Sequence, residues 1–190
     1  AYSSSTVVMS HSVTAVNDAP VASGSATFAA DNEDTPTSKT VDTLFSGTFS
    51  DVTDTVSGGS TANTLAGVAI TSYTEDTSKG QWYYSSDNSA WTVLSSISSA
   101  STSKTLQAAD YLKFVPAANW NGAAPTLTVV LIDSSTTVTT GATLDVSSRG
   151  GTTSYSSGTV VMSHSVTAVN DAPVASGAAT FAADNEDTPT

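Results

Sequence analysis

Residues 6–16, TVVMSHSVTAV, place Val7, Met9, His11, Val13 and Ala15 on one side of a β-branched, partly alternating run. A period of two predicts a half-buried strand. Asn17-Asp18-Ala19-Pro20 ends the pattern, because Asn and Asp favour turns and Pro20 drives Ala19 to extended backbone. We place a domain boundary there. Residues 21–30 predict a second extended segment, closed by the acidic turn 31–36, and residues 41–49, with Leu44 and Phe45, predict a third strand. Asp51-Val52-Thr53-Asp54 and Gly58-Gly59 then read as a long loop.

Residues 66–73 predict a fourth strand, and 81–85 with 90–94 a hairpin around Ser86-Asp87-Asn88-Ser89, its bulk supplied by Trp82, Tyr84 and Trp91. The Ser-rich 95–103 reads as loop, 111–115 as a strand ended by Pro116, Asn119-Trp120-Asn121-Gly122 as a turn, and LTVVLID at 127–133 as a strong strand. Residues 134–157 are polar and mostly loop, with room for a short strand at 142–146; residues 159–169 repeat the first strand. Short strands separated by turn residues, without helical periodicity, predict an all-β, antiparallel, Ig-like sandwich of Greek-key type with about seven to nine strands.

The chain writes one stretch twice. Residues 2–37 return as 155–190, 153 positions on, and differ only at Ser5 (Gly158) and Ser25 (Ala178). That period is too long for a solenoid and long enough for each unit to bury its own core. The expected organisation is beads on a string. Residues 1–16 are the terminal strand of a preceding repeat, 17–169 a complete repeat, and 170–190 the linker and first strand of a following one. The severed ends are expected either to pack on a neighbouring molecule, in head-to-tail contacts between copies, or to form low-order tails.

Charge then narrows the partners. Seventeen acidic residues against five basic give a net charge of −12, which disfavours nucleic acid and anionic membrane surfaces and favours cations. Cysteine is absent, so neither disulfides nor thiolate chemistry operates here. No apolar run approaches membrane-spanning length, so no membrane insertion by this segment is expected.

Strand direction gives the acids a destination. If residues 21–30 run away from the linker, ten residues at ~3.3 Å cover roughly 33 Å, the length of a small sandwich. Asp31, Glu33 and Asp34 then fall at the far pole. The returning strand delivers Asp51 and Asp54 to the near pole beside Asn17 and Asp18, and residues 127–132 bring Asp133 there too. Crowded carboxylates raise each other's pKa unless a cation sits among them. An all-oxygen set of carboxylates, amides and carbonyls suits Ca2+ better than magnesium or zinc. At the far pole the following linker would add Asn170 and Asp171. The alternative is that each acid only forms a turn or a solvated surface.

The step Val16-Asn17-Asp18-Ala19-Pro20 resembles the linker of cadherin-like domains. DNEDTPT at 31–37, LFSGTFSDVTD at 44–54, GGSTANTLAGVAIT at 58–71, GQWYYSSDNSAWT at 80–92, LKFVPAANWNG at 112–122 and SRGGTTSYSSGTVVMSHSVTAVNDAPV at 148–174 resemble cadherin-like tandem repeats of giant bacterial RTX-type surface adhesins. The resemblance spans nearly the whole repeat. It implies an extracellular, type I secreted protein anchored at the bacterial outer membrane, whose repeats stiffen in calcium and project ligand-binding domains for cell adhesion and biofilm formation. It implies calcium ligands at Asn17 and Asp18, at Glu33 and Asp34, and at Asp51 and Asp54.

No enzymatic activity is expected. His11 and His164 are one repeat position on a strand face, no GxSxG elbow exists, and Glu75 with Asp76, adjacent at a strand end, point apart. The competing reading is a glycan- or surface-binding module that uses the Trp82/Trp91 hairpin as a stacking platform.

Overall fold

The computed structural model describes residues 1–183, 186 and 187. Its strands are short. The first five are β1 (Val21–Ala22), β2 (Ala26–Thr27), β3 (Asp31–Asn32), β4 (Lys39–Thr40) and β5 (Phe49–Ser50), with helix α1 (Val41–Phe45) between the last two. The long ones follow: β6 (Leu65–Ser72), β7 (Gly80–Ser85), then β8 (Thr92–Val93), β9 (Ser103–Gln107) and β10 (Tyr111–Pro116). The chain closes with β11 (Gly122–Ala123), β12 (Leu127–Asp133), β13 (Thr143–Leu144), β14 (Val160–Ser163) and β15 (Ser165–Thr167).

The fold is all-β, as expected. A six-stranded sheet in the order β13-β9-β6-β12-β14-β2 and a four-stranded sheet β4-β10-β7-β8 are joined by the smaller sets β1-β5 and β11-β15-β3. One core lies between the two large sheets: Val68, Ile70, Leu127, Val129, Leu131, Val160 and Met162 meet Trp82, Leu112 and Phe114. β12 is buried on its other face as well, where Ala69, Val130 and Ile132 pack against Val138 and Val146 of the long 134–157 connection. Burial on both faces is why LTVVLID reads as an unbroken apolar run, not an alternating one.

Four local expectations need correction. Residues 41–45 form a helical turn instead of a strand. Thr40 Oγ1 accepts the Thr43 N–H at 3.2 Å, an N-cap, and the turn buries Val41, Leu44 and Phe45 together. Apolar residues spaced i, i+3 and i+4 satisfy a helix as well as a strand, and the capping hydroxyl decides.

The second correction is strand number: fifteen short segments occur among the described residues, not seven to nine. The Ser-rich loop expected at 95–103 ends in β9, a strand the alternation does not predict, which pairs with β6 along Gly67↔Gln107 to Ile70↔Lys104. Third, the pairing is not purely antiparallel. β2 runs parallel to β14 and β3 parallel to β15, because each of those segments leaves the linker pole and heads for the opposite end.

The fourth correction concerns residues 6–16, which form no strand: Val7 and Met9 are over nine-tenths exposed. The same letters at 159–169 make β14 and β15, with Val160 and Met162 fully buried between β12 and β2. Alternation supplies a strand's faces, but neighbouring strands supply its partners. At the other end, residues 170–183 carry no regular structure, and Val174 and Phe181 are exposed. The first strand expected within 170–190 is thus not formed over 170–183, and its positions at 184, 185 and 188–190 lie outside the described residues.

Candidate metal centre

Five polar residues from four parts of the chain meet where Asn17 enters the domain. Asp51 and Asp54 flank a 3₁₀ turn at Val52–Asp54, closed by the Asp54 N–H on the Asp51 carbonyl at 3.3 Å. Three residues per turn put positions i and i+3 on one side, so the turn aims both carboxylates the same way. Asp54 Oδ1 accepts the main-chain N–H of Asp18 at 2.7 Å, which ties the linker to the domain. Asn63, from the loop before β6, donates its Nδ2 to Asp54 Oδ2 and to Asn17 Oδ1, both at 2.9 Å, and its main-chain N–H to Asp51 Oδ2 at 2.8 Å. Asp133, the last residue of β12 and fully buried, accepts from Asn17 Nδ2 at 3.3 Å; its other oxygen takes the Ser135 N–H at 2.8 Å.

Of the near-pole candidates, then, Asn17, Asp51, Asp54 and Asp133 are brought into one hydrogen-bonded set. Asp18 joins through its backbone N–H. The linker is further pinned by Asn17 Nδ2 on the Thr153 carbonyl (3.3 Å) and the Ala19 N–H on the Gly151 carbonyl (2.7 Å). Sequence reasoning missed Asn63. It is a neutral amide in a Gly- and Thr-rich loop, and charge counting could not single it out.

The electrostatics of the set are unbalanced. Asp51 is 3% exposed, and its Oδ1 has no hydrogen-bond partner. Burial pushes its carboxyl above the ordinary 3.8, and the nearby charges of Asp54 and Asp133 push it further, against the Asn63 hydrogen bonds that lower it. Among the described residues, the donors holding these carboxylates are neutral amides, hydroxyls and backbone N–H groups. Among the described residues, no three His, Cys, Asp or Glu side chains lie close enough together to hold a metal ion by themselves. A cation here would therefore need the amide oxygens of Asn17 and Asn63 beside the carboxylates. Rotation of either amide by half a turn exchanges a donor for an acceptor, so the set can serve as hydrogen-bond donors to carboxylates or as oxygens to a cation. Its donors are all oxygens, and with the orphaned Asp51 Oδ1 they fit calcium.

The far pole is less complete. Glu33 Oε1 accepts the Val169 N–H at 2.7 Å, which fixes the exit of the chain from β15, while Glu33 Oε2 is buried without a partner. Asp34 is exposed and joins no side-chain hydrogen bond. Asn170 and Asp171 are exposed too; Asn170 Nδ2 reaches the Asp171 carbonyl at 3.3 Å, the same local contact that Asn17 makes to Asp18 at 3.1 Å. The structure does not gather Asp34, Asn170 and Asp171 with Glu33 as it gathers the near-pole set. The turn expected at 31–36 is instead closed by Asp31, which takes the N–H and hydroxyl of Thr37 at 2.9 and 2.8 Å.

Elsewhere, the Tyr73 hydroxyl and His164 Nε2 are also buried without a hydrogen-bond partner, while His164 Nδ1 lies 3.3 Å from the Phe28 carbonyl. His164 is buried among Phe28, Trp82 and Phe114, with ring centroids 4.8, 5.7 and 5.7 Å away. Glu75 accepts from Gln81, and Asp76 accepts from Ser78 and pairs with Lys79. Trp82 is wholly buried, its indole N–H on the Pro125 carbonyl at 2.8 Å, so it cannot join Trp91 in a surface platform. The Lys113 ammonium lies 3.8 Å from the Trp91 ring centroid.

Comparison of the chain with protein-family models, with curated proteins and with solved structures finds no match to any of the three.

Proposed function

We propose that the chain is a calcium-stabilised spacer module, one unit of a tandem array that extends a bacterial surface adhesin. The observation that carries this reading is the buried set at the linker: Asp133 meets Asn17, Asp54 takes the Asp18 N–H, Asn63 joins Asp51 and Asp54 to Asn17, and Asp51 Oδ1 is left unpartnered. A calcium ion bound there would supply the positive charge the carboxylates lack. Asp51 and Asp54 would hold it through the 3₁₀ turn, together with the amide oxygens of Asn17 and Asn63, while Asp133 at the end of β12 would position Asn17. Because Asn17 belongs to the linker and the others to the domain body, filling the site fixes the direction in which the preceding segment leaves.

The acidic surface and the duplicated linker support the same reading, since copies of one unit supply length. Glu33, at the exit of β15, stands where the following linker begins and is the domain's own contribution to the next junction. Extracellular placement follows from the resemblance to RTX-type repeats and from the millimolar calcium that weak sites require.

The test is small-angle scattering on a chain of three or more such repeats, in calcium and in EDTA. The expected result is a longer maximum dimension and a rod-like profile in calcium, with collapse toward a shorter, broader distribution on chelation. Superimposable profiles in the two buffers would refute the proposal.

A further inference from the structure

The two copies of one sequence sit in opposite environments. In the first, β1 pairs with β5, β2 and β3 lie along β14 and β15, and Phe28, 1% exposed, fills the space beside Trp82 and His164. In the second, Phe181 is 102% exposed, and residues 170–183 have no strand partner. Of the fourteen positions 17–30 and 170–183, only Ser25/Ala178 differs, and Ser25 is exposed. Ala178 would therefore change no buried contact. We infer that residues 170–183 are a donor segment for a second copy of this chain, seating on β5 and β14 in the place of that copy's own residues 17–30.

Geometry names the partner. In the domain, Asn17 sits beside Asp133 and Thr153, while Val169 sits on Glu33 at the opposite pole. The path through β14 and β15, from Val160 to Val169, covers nine steps and spans roughly 30 Å at ~3.3 Å per extended residue. Asn170 is covalently next to Val169 and cannot also reach the Asn17 position of its own domain. It can reach that of another. The place itself is suited to exchange: β2 is the edge strand of the six-stranded sheet and β1 pairs with β5 alone, so their departure breaks no interior pairing, and an incoming segment adds by main-chain hydrogen bonds along the edge.

The resident copy has the advantage of its tether. A short linker holds it at an effective concentration in the millimolar range, so at ~10 µM chain the incoming copy is disfavoured by on the order of a hundredfold. Weakening the resident copy alone should reverse that balance. The inference rests on the duplication, not on a cation, and is tested in EDTA so that its failure and that of the calcium reading are separable.

The experiment compares the full chain, Phe28→Asp, and Phe28→Asp with Phe181→Asp by sedimentation velocity between 5 and 200 µM. The single variant is expected to form head-to-tail dimers and longer species, its association at least tenfold tighter than that of the unsubstituted chain, and the double variant to lose them. Equal mass distributions for the two variants would overturn the inference. A second arm keeps the resident edge intact. Thr27 and Ser163 are exposed cross-strand partners, and Thr180 is the second copy of Thr27. Ser163→Cys with Thr180→Cys, in a chain otherwise free of cysteine, should give reducible covalent dimers at least fivefold above the same pair carrying Phe181→Asp. Equal yields would overturn it.

Discussion

Replacing Asp51 by Asn separates the two roles of the near-pole carboxylates. The change keeps an acceptor for the Asn63 N–H and removes a charge that burial, Asp54 and Asp133 all disfavour. In EDTA the variant should therefore be no less stable than the parent. In calcium the order should invert. A site with a dissociation constant of ~1 mM, at the weak end for extracellular modules, adds RT ln(1 + [L]/Kd), or about 1.4 kcal/mol in 10 mM calcium. For a domain of this size, ~2–4 °C per kcal/mol gives a rise in Tm of about 3–6 °C for the parent, and the variant should keep under a third of it. Differential scanning calorimetry in both buffers reads the four values directly. The reasoning is refuted if the parent melts at the same temperature with and without calcium, or if the substitution lowers Tm equally in both.

Three further outcomes follow from the packing and the charges. Phe28→Ala should cost about 3–5 kcal/mol in urea unfolding and Phe181→Ala nearly nothing, although the two stand in identical sequence, because only the first fills a core; equal costs would mean that the second copy is also packed. In calcium-free buffer Asp51 binds its proton more tightly folded than unfolded, so its stabilisation is present below 3.8 and is lost as pH rises through its raised folded value. Asp76, Asp87 and Asp145, held low chiefly by hydrogen bonds from Ser78, from the Ala90 N–H and from Ser147, act below 3.8 with the opposite sign; urea titrations of the Asp51→Asn variant between pH 3 and 7 should lose only the upper component. Gly67→Ala would set a Cβ 2.1 Å from the Leu106 carbonyl where β6 and β9 cross closely, and should cost more than ~3 kcal/mol, whereas the same change at Gly47, with open space around it, should cost under ~1 kcal/mol.

The strands that could be read from residues alone were those whose own side chains settle both faces. β6, β7, β10 and β12 carry β-branched and aromatic runs long enough to identify them. Residues 41–45 and 6–16 could not be read that way. The first depended on one hydroxyl cap, and the second on whether a partner strand was present, which the alternation of TVVMSHSVTAV does not encode. Strand direction places Asp133 at the near pole, at the end of β12, whereas Asp51 and Asp54 are counted there through a strand at 41–49 that is helical over 41–45 and reach the same end by β5. Asn63 was invisible to that count because it carries no charge, and its place between Asp54 and Asn17 depends on loop geometry. The far pole was not legible in that way: Glu33 takes the Val169 N–H, but Asp34, Asn170 and Asp171 stay exposed because residues 170–183 carry no regular structure that would bring them back to it.

The most direct measurement is an anomalous difference map from crystals grown in 10 mM calcium, collected at a long wavelength. An ion ligated by Asp51 Oδ1 and Asp54, with the amides of Asn17 and Asn63 turned to present oxygen, is the expected result. A near pole without anomalous signal, with Asn63 Nδ2 still seated on Asp54, would contradict it.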